Sequence, residues 1–475
     1  MSSKYILHPG KSRLFTFTHL MSKNKSIFYL IDGARPDVLK TLLDAGELPN
    51  IKKYMVDEGC FQKGTTCFPS TTGPAYLPFL TGKFPGDHDI TGIRWFDKKE
   101  YFKGRWGRNA MRSYCGYEAK YFNEDMNEAY PSLMEIYPKS FNIYNMITKG
   151  VKEENDLTKE GKSKLYFNAH FKHTHHIVDK LGHKHLLAAL DKEFNFIFAV
   201  FPSIDWDSHT YHYEDEKTIE AYRIADRSLG EVGEKLKATG QYQETLIIMA
   251  SDHGLTSTHT HLDLGRFFKK NGYRVLEYPS IWTLFPKVSV FISGNSFATL
   301  SFLDKKKLYM KEELFSKHGE VLIKLVKNDA IDFIIVRKDD KAVLVINEDG
   351  EAEICWSDEG IAYKSITANP FRIADTYKYL DEQESFDHCF DSDYPDALLQ
   401  CRQLFESPRS GDVAVSANVG YDLRDFWEIP EHKGSHGSLH KDHMHVPVLM
   451  NKPMLDKPLR TRDLFDLIRN HIDGK

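Results

Sequence analysis

The chain has 475 residues, of which 41% are hydrophobic and 28% are charged, a composition typical of a globular protein. This length suits one large α/β domain with insertions, or two domains, and it allows a sizeable core. The net charge of −5 gives no general basic field, so nucleic acid is not expected as an obligatory partner.

Cysteine content and the N-terminal sequence bear on the location of the protein. The six cysteines include no Cys-x-x-Cys pair and are sparse for a chain of this size, so we expect mostly reduced thiols. The N-terminus lacks the basic-then-apolar layout of a signal peptide. No run reaches the ~18 apolar residues that a membrane helix needs. We therefore expect a cytoplasmic protein without a membrane span, and the sequence leaves its oligomeric state open.

Residues 25–94 are predicted to form the first part of an α/β catalytic core. Residues 26–31 are a continuous apolar run that stops at Asp32, and Pro36 then opens a helical stretch. This order is typical of a buried parallel strand, a turn and a helix. A carboxylate at the end of a buried strand costs several kcal/mol unless it is paired or bound to a metal.

Thr72 follows in the segment Phe-Pro-Ser-Thr-Thr-Gly-Pro-Ala-Tyr. A run of hydroxyl residues most simply caps the following helix. A helix N-terminus also attracts phosphate, so the same geometry would serve a phosphoryl-transfer site. A hydroxyl becomes a useful nucleophile only when a base or a metal lowers its pKa.

Residues 95–185 are rich in aromatic residues, histidine and lysine, and we interpret them as a first cap insertion. The core is predicted to resume over residues 186–265. There an apolar run, residues 194–201, leads to Asp205 and His209. These two residues are four apart, so on a helix they would face the same side and could hold one ion. The alternative for Asp205 is an exposed helix N-terminus with a favourable acid.

A third apolar run, residues 245–250, leads directly to Asp252 and His253, after a helical stretch over residues 216–239. In open α/β sheets, ligands bind beyond the carboxyl ends of the strands, which is where all three acids lie. The alternative for the Asp-His pair is the capped start of a helix.

Residues 266–410 contain several β-type runs and are predicted to form a second cap insertion. The chain is then expected to return to the core over residues 411–475, through runs at 412–416 and 445–450. The predicted fold is thus α/β, with a mostly parallel central sheet sandwiched between helices and a cap formed by the insertions.

His436 lies between small residues in Gly-Ser-His-Gly and could approach a crowded site. Asp207 is a spare carboxylate near Asp205. The histidines between residues 170 and 185 suggest either a further metal site or a solvated basic face.

Together, these segments resemble the alkaline phosphatase superfamily, and in particular its type I phosphodiesterase/nucleotide pyrophosphatase branch. The shared motifs are strand-Asp-Gly, Pro-x-x-Thr-x-Pro, Asp-x-x-x-His, Ser-Asp-His-Gly and Gly-x-His-Gly, in the family's order. The resemblance implies two metal ions. The first ligand set would be Asp205, His209 and His436; the second ligand set would be Asp32, Thr72, Asp252 and His253. Such nitrogen and oxygen ligands suit zinc, with manganese or iron as alternatives.

The resemblance also implies that Thr72 is the nucleophile of a phosphodiesterase or nucleotide pyrophosphatase. The chain departs from the family at Ala75 and Tyr76, where Asn-His is usual and the Asn helps to hold the phosphoryl oxygen. Gly73, Tyr76 or Arg94 is expected to replace that contact. Trp95 and Phe96 could stack on a base or another flat leaving group, or could be ordinary core residues.

The sequence does not name the substrate, which is expected to be a small phosphoester and could be a nucleotide. A phosphomonoesterase, phosphonate hydrolase or phosphomutase on the same metals is the nearest alternative. A non-catalytic, metal-stabilised binding protein is the alternative from another class. A sulfatase is disfavoured because Cys-x-Pro-x-Arg is absent around Thr72.

Overall fold

The computed structural model describes residues 23–104, 109–278, 283–424, 431–453 and 457–475. The strands in this part of the chain are β1 Lys25–Ile31, β2 Cys60–Thr65, β3 Arg94–Phe96, β4 Met111–Ser113, β5 Ser140–Ile143, β6 Phe196–Phe201, β7 Thr245–Ala250, β8 Thr256–Ser257, β9 Thr260–His261, β10 Val275–Leu276, β11 Val288–Ser293, β12 Phe297–Phe302, β13 Ile331–Asp339, β14 Ala342–Asn347, β15 Gly350–Ser357, β16 Gly360–Ser365, β17 Val413–Ala417, β18 Tyr421–Asp422, β19 Gly434–Ser435, β20 His445–Met450 and β21 Leu459–Arg460.

The helices in the same part of the chain are α1 Pro36–Asp44, α2 Pro49–Ile51, α3 Leu77–Thr81, α4 Lys98–Lys103, α5 Phe122–Asp125, α6 Leu133–Ile136, α7 Lys162–Lys172, α8 His176–Ala189, α9 Ser203–Tyr211, α10 Glu216–Ala238, α11 Leu264–Lys270, α12 Lys311–Val326, α13 Glu382–Cys389, α14 Ala397–Glu406, α15 Lys441–Met444 and α16 Asp463–Asp473. Short 3₁₀ or π-helical segments lie at Lys52–Val56, Pro74–Tyr76, Pro85–His88, Tyr117–Tyr121 and Glu153–Asn155.

The first sheet has the strand order β21-β2-β20-β7-β1-β6-β5. Strands β5, β6, β1 and β7 are parallel to one another, and β20 runs antiparallel to both of its neighbours. Every residue of β6 and β7 is buried, as expected for continuous apolar strands covered on both faces. The predicted α/β fold with a mostly parallel central sheet is confirmed.

Helices cover this sheet because each presents a buried apolar stripe to it. α10 is the longest of them; Asp215 accepts a hydrogen bond from the Lys217 amide at its start, and its buried residues recur at helical spacing. Residues from the strands and the surrounding helices join in one large hydrophobic core. Within the described chain, no helix has the length and apolar character needed to cross a membrane.

The second sheet has the order β10-β11-β12-β17-β13-β14-β15-β16 and is antiparallel except for the β10–β11 pair. Its middle strand, β17, pairs with β12 and β13. The prediction that residues 412–416 return the chain to the first sheet is therefore wrong. An apolar run specifies a strand, but its pairing partners lie far away in sequence, and here they belong to the preceding insertion.

The predicted first insertion, residues 95–185, has parts in contact with each of the two sheets. β5 lies at the edge of the first sheet, next to β6, so this stretch is not wholly a cap. The β3–β4 ribbon instead lies against β11 of the second sheet. Lys98 donates a hydrogen bond to Asp412 at 2.8 Å, and both side chains are buried. This ion pair joins α4 of the first insertion to the residue directly before β17.

Candidate metal centre and nucleophile

Three acidic residues follow three neighbouring parallel strands of the first sheet. Asp32 follows β1, Asp252 follows β7, and Asp205 lies in the first turn of α9, just after β6. Because β1 lies between β6 and β7 and is parallel to both, the carboxyl ends of these strands meet. All three side chains are buried. The structure thus brings together the three acids that the sequence places at strand ends.

Gly33 allows the end of β1 to approach α9 closely. Its φ is +72°, in the left-handed region that favours glycine. A Cβ atom at this position would lie 2.8 Å from the Cβ of Asp205. The Asp-Gly pair therefore serves two purposes, since Asp32 enters the site and Gly33 makes room for Asp205.

The first ligand set assembles between α9 and the segment after β19. Asp205 Oδ1 lies 3.3 Å from His209 Nε2 and 3.9 Å from His436 Nε2. The Nδ1 atoms lie 2.7 Å from the Gly434 carbonyl oxygen for His209 and 2.9 Å from the Ser70 carbonyl oxygen for His436. Because Nδ1 donates its proton to a carbonyl in each case, each neutral ring turns the lone pair of Nε2 toward the site.

The second ligand set surrounds the predicted nucleophile. Thr72 Oγ1 lies 3.0 Å from His253 Nε2 and 3.3 Å from Asp32 Oδ1. His253 Nε2 is also 3.3 Å from Asp252 Oδ2 and 3.5 Å from Asp32 Oδ1. Its Nδ1 lies 3.0 Å from the Gly254 carbonyl oxygen, so this ring too presents a lone pair at Nε2. All seven predicted ligands are therefore gathered in two adjoining groups.

The chemistry of these donors fits divalent cations. Asp205 Oδ1 and Asp252 Oδ2 are buried and have no hydrogen-bond partner among the described residues. They face imidazole nitrogens that are acceptors themselves, so these pairs repel unless a cation lies between them. Ligand atoms of Asp32, Asp252 and His253 lie within 4.8 Å of one another, as do those of Asp205, His253 and His436. His253 thus stands close to both sets.

The site is electrostatically demanding without such ions. Burial, together with the charges of Asp252 and Asp205, raises the pKa of Asp32 well above its usual range. Burial also raises the pKa of Asp252. Burial acts in the same direction on Asp205, but without metal ions the charge and hydrogen bond of a protonated His209 ring outweigh burial and lower the pKa of that carboxyl. Burial and the nearby His253 lower the pKa of His436, which therefore stays neutral, as a metal ligand must be.

The backbone of His436 is held by the turn between β11 and β12 of the second sheet. Its N–H donates to the Gly294 carbonyl oxygen at 2.8 Å, and its own carbonyl oxygen accepts from the Ser296 N–H at 2.9 Å. Gly294 has a φ of +63°, and a Cβ atom there would lie 2.6 Å from the His436 carbonyl oxygen. One predicted metal ligand is therefore positioned by a turn in the second sheet.

The predicted replacements for the family's asparagine behave differently from one another. Tyr76 is buried, and its hydroxyl donates to Asp32 Oδ2 at 2.9 Å. Ala75 is fully buried in the hydrophobic cluster that includes Phe297 of the second sheet, so it offers nothing to a substrate. Gly73 directly follows Thr72, and its backbone N–H has no hydrogen-bond partner among the described residues.

The structure contradicts the prediction that Trp95 stacks on a substrate. Only 1% of Trp95 is exposed, its Nε1–H donates to the Tyr114 hydroxyl at 2.9 Å, and the Arg409 guanidinium lies 4.0 Å from its ring centroid. Trp95 belongs to the large hydrophobic core around the first sheet, where Arg409, from the segment between α14 and β17, packs on its ring. Arg94 is half-buried and donates to Ser113 Oγ and to a carbonyl oxygen of β11. Its contact with phosphate stays a prediction.

Three histidines of the stretch 170–185, His175, His176 and His183, contact acidic side chains of other helices, and the side chain of His170 lies outside the described residues. His175 Nδ1 lies 2.7 Å from Asp207 Oδ1, and His176 Nε2 lies 2.8 Å from Asp207 Oδ2. In the described ranges, the groups with metal-binding geometry are the two given above. Asp207 thus anchors α9 from the side opposite Asp205. The sequence already contained this signal, because Asp205 and Asp207 are two residues apart and so face opposite sides of α9.

One neighbour of the first ligand set was missed in the sequence. The ring centroid of His432 lies 4.4 Å from that of His209, and its Nδ1 lies 3.2 Å from Asn295 Nδ2. Its position four residues before His436 was the available signal. The carbonyl oxygens that orient the ligand rings had none, because any residue type supplies a carbonyl.

Comparison with known proteins supports the same architecture. A model of the type I phosphodiesterase / nucleotide pyrophosphatase family matches residues 27–439. The chain is 20% identical over 265 residues to bis(5'-adenosyl)-triphosphatase enpp4 of Mus musculus, a match that covers 54% of the chain and 54% of that protein.

Solved structures show the same fold over almost the whole chain. Phosphonoacetate hydrolase from Sinorhizobium meliloti 1021, in complex with phosphonoformate, has a TM-score of 0.57 at 15% identity, covering 95% of this chain and 96% of that one. Murine ectonucleotide pyrophosphatase / phosphodiesterase 5 has a TM-score of 0.56 at 14% identity and covers 95% of each chain.

Proposed function

The chain belongs to the type I phosphodiesterase / nucleotide pyrophosphatase family, and from this we propose that it hydrolyses phosphoric diesters. In this proposal it uses two divalent metal ions, most simply zinc, and a covalent phospho-threonine at Thr72. The observation that carries the proposal is the position of Thr72 Oγ1, 3.0 Å from His253 Nε2 and 3.3 Å from Asp32 Oδ1. Thr72 is half-exposed among buried neighbours, which leaves it open to a substrate.

The chain's own residues account for most of the chemistry. Thr72 Oγ1 loses its proton to solvent and bonds to phosphorus while the bond to the leaving oxygen breaks, and that oxygen takes up a proton. Water then attacks phosphorus, the bond from phosphorus to Thr72 Oγ1 breaks, and a proton from that water restores the Thr72 hydroxyl. The Gly73 N–H, next to the nucleophile, is the proposed donor to a phosphoryl oxygen in place of the family's asparagine. Bound cations would supply the charge that lowers the pKa of the Thr72 hydroxyl and offsets negative charge on the phosphoryl group.

The charge around the site favours a diester over a monoester. The ion pairs of Asp32, Asp205 and Asp252 within the described chain are all with histidine. A monoester dianion would therefore add charge that two cations alone must offset, whereas a diester carries only one negative charge. Phosphomonoesters and phosphonates remain alternative substrates for the same seven side chains.

The names of the relatives support nucleotides as the first diesters to examine. One relative is a bis(5'-adenosyl)-triphosphatase and another is an ectonucleotide pyrophosphatase / phosphodiesterase. Since Trp95 is buried, base recognition in this chain must come from other residues of the cap. Arg94, at the edge of the first insertion, is the nearest predicted candidate.

The proposal is tested with purified protein reconstituted with zinc, manganese or iron. Rates are compared on bis-p-nitrophenyl phosphate, p-nitrophenyl phosphate, a phosphonate monoester and a dinucleoside polyphosphate. Acid quenching during turnover, followed by peptide mass mapping, should locate a phosphoryl adduct on Thr72. A faster reaction with the monoester would contradict the diester assignment. An inert protein containing two metal ions would instead support a non-catalytic binding role.

A further inference from the structure

Tyr76 is linked to the predicted metal centre by its hydrogen bond to Asp32. It ends the 3₁₀ turn that follows Thr72, and only 2% of it is exposed. Its hydroxyl donates to Asp32 Oδ2 at 2.9 Å. The other oxygen, Asp32 Oδ1, faces Thr72 Oγ1 at 3.3 Å and His253 Nε2 at 3.5 Å. The two oxygens of one carboxylate therefore have separate partners.

We propose that Tyr76 is a positioning residue that fixes Asp32 as a one-oxygen ligand and so sets the metal affinity of the second ligand set. A hydrogen bond to Oδ2 directs Oδ1 toward Thr72 and His253 and keeps the carboxylate from turning. The inference rests on the proposed dinuclear function, but it concerns a residue outside both ligand sets.

The hydrogen bond and packing of Tyr76 favour this positioning role over the contact with a phosphoryl oxygen that the sequence allows. A phenol can donate only one hydrogen bond, and here Asp32 Oδ2 accepts it. The ring lies 6.1 Å from that of Phe198 on β6, within the core. Because Tyr76 and Thr72 belong to the same buried turn, one short segment fixes both the nucleophile and the carboxylate beside it.

The chain offers a matched control in Tyr114. Its hydroxyl donates to Asp125 Oδ2 at 2.9 Å, and only 2% of this residue is exposed. Tyr76→Phe and Tyr114→Phe thus each remove one hydroxyl from a buried tyrosine–carboxylate pair. They differ in that Asp125 belongs to neither ligand set, and in that the Tyr114 hydroxyl also accepts a hydrogen bond from Trp95 Nε1.

The experiment measures zinc affinity by competition with a chromophoric chelator, and zinc content by elemental analysis after dialysis. We expect Tyr76→Phe to weaken the binding of one of the two ions about 10- to 100-fold and to leave the other unchanged. Turnover at limiting zinc should fall and recover with excess zinc. Tyr114→Phe should bind zinc like the wild type.

Several outcomes would overturn the inference. Wild-type affinity for both ions in Tyr76→Phe, with a raised KM, would make Tyr76 a substrate contact. A wild-type protein without bound metal would overturn the proposed function as well, so the two failures are distinguishable.

A second measurement avoids any change in packing. 3-Fluorotyrosine incorporated at position 76 should show a ¹⁹F shift when zinc is added, and the same probe at position 114 should not. An unchanged resonance at position 76 in protein with two bound zinc ions would also reject the role.

Discussion

The imidazole rings of His253 and His436 are stacked, with centroids 3.7 Å apart and planes 7° apart. They belong to different ligand sets, and each donates its Nδ1 proton to a backbone carbonyl oxygen. The two ligand sets therefore meet at a pair of stacked, nearly parallel rings. Loss of one ring removes a ligand from its own set and packing support from the other.

His436→Ala is accordingly expected to affect both metal ions. Zinc content should fall from about two equivalents to one or fewer, with loss of turnover, because ligand number and ring support are lost together. Elemental analysis of protein prepared without chelator checks this. His443→Ala is the control, since His443 is also buried but its ring hydrogen-bonds to Ser438 and Thr256 and belongs to neither ligand set. Equal zinc loss in both variants would point to general unfolding.

Thr72→Ala is expected to abolish turnover while the fold and most of the metal remain. Deleting a covalent nucleophile costs several orders of magnitude in rate. The adjacent Thr71 is the internal control, because its hydroxyl is buried and has no hydrogen-bond partner among the described residues. Thr71→Ala should retain substantial activity, and Thr72→Ser should retain some. Activity in Thr72→Ala together with its loss in Thr71→Ala would place the nucleophile one residue earlier.

Trp95→Phe is expected to lower stability without changing substrate preference. It loses buried volume and the hydrogen bond to Tyr114, which together cost about 1–3 kcal/mol of unfolding free energy. Urea denaturation measures this cost, and kcat/KM on a nucleotide diester and a small aryl diester measures preference. Arg94→Ala should instead change the ratio of the two kcat/KM values. A shifted ratio in Trp95→Phe would show that this ring contacts substrate after all.

Acidification should destabilise the protein as the pH falls below about 6.5, the pKa of an unfolded-chain histidine. Burial lowers the pKa of His88 to about 4 and that of His445 to about 3. Between pH 6.5 and these values the unfolded chain binds protons that the folded protein does not. The unfolding free energy therefore falls, with a slope approaching about 1.4 kcal/mol per pH unit for each such histidine.

Urea titrations of two variants at several pH values distinguish a histidine whose pKa is lowered by folding from one whose pKa is raised. His88→Gln should reduce the slope, because it removes a histidine that stays neutral in the fold. His176→Gln should leave this slope unchanged and act above about pH 6.5 instead, because the hydrogen bond to Asp207 raises the pKa of His176. The stability that His176 contributes is complete below that pH and is lost as the pH rises through the raised pKa. An identical acid slope in His88→Gln and the wild type would exclude His88 as a source.

The three carboxylates of the predicted ligand sets could be picked out because each is tied to a local pattern. Asp32, Asp205 and Asp252 each follow an apolar run, and strand ends in a parallel sheet converge by construction. The family resemblance then supplied Thr72 and His436, which have no such local signal. The structure brings all of these side chains together.

The errors concern orientation and pairing over long distances. Residue type does not specify that Trp95 points into the hydrophobic core around the first sheet, or that Tyr76 reaches back to Asp32. Likewise, the run at β17 identified a strand but not its sheet. Its partners β12 and β13 are themselves part of the stretch assigned to the cap.

The turn between β11 and β12 restricts how the second sheet can be exchanged with that of a relative. A chimera that replaced this sheet would need Gly294 and its neighbours to match the recipient's His436 segment, or the graft would displace a ligand. The hairpin at residues 339–341 has an exposed turn and carries no such restriction. Diversification by insertion is therefore expected at that distal hairpin, with the β11–β12 turn held constant in length.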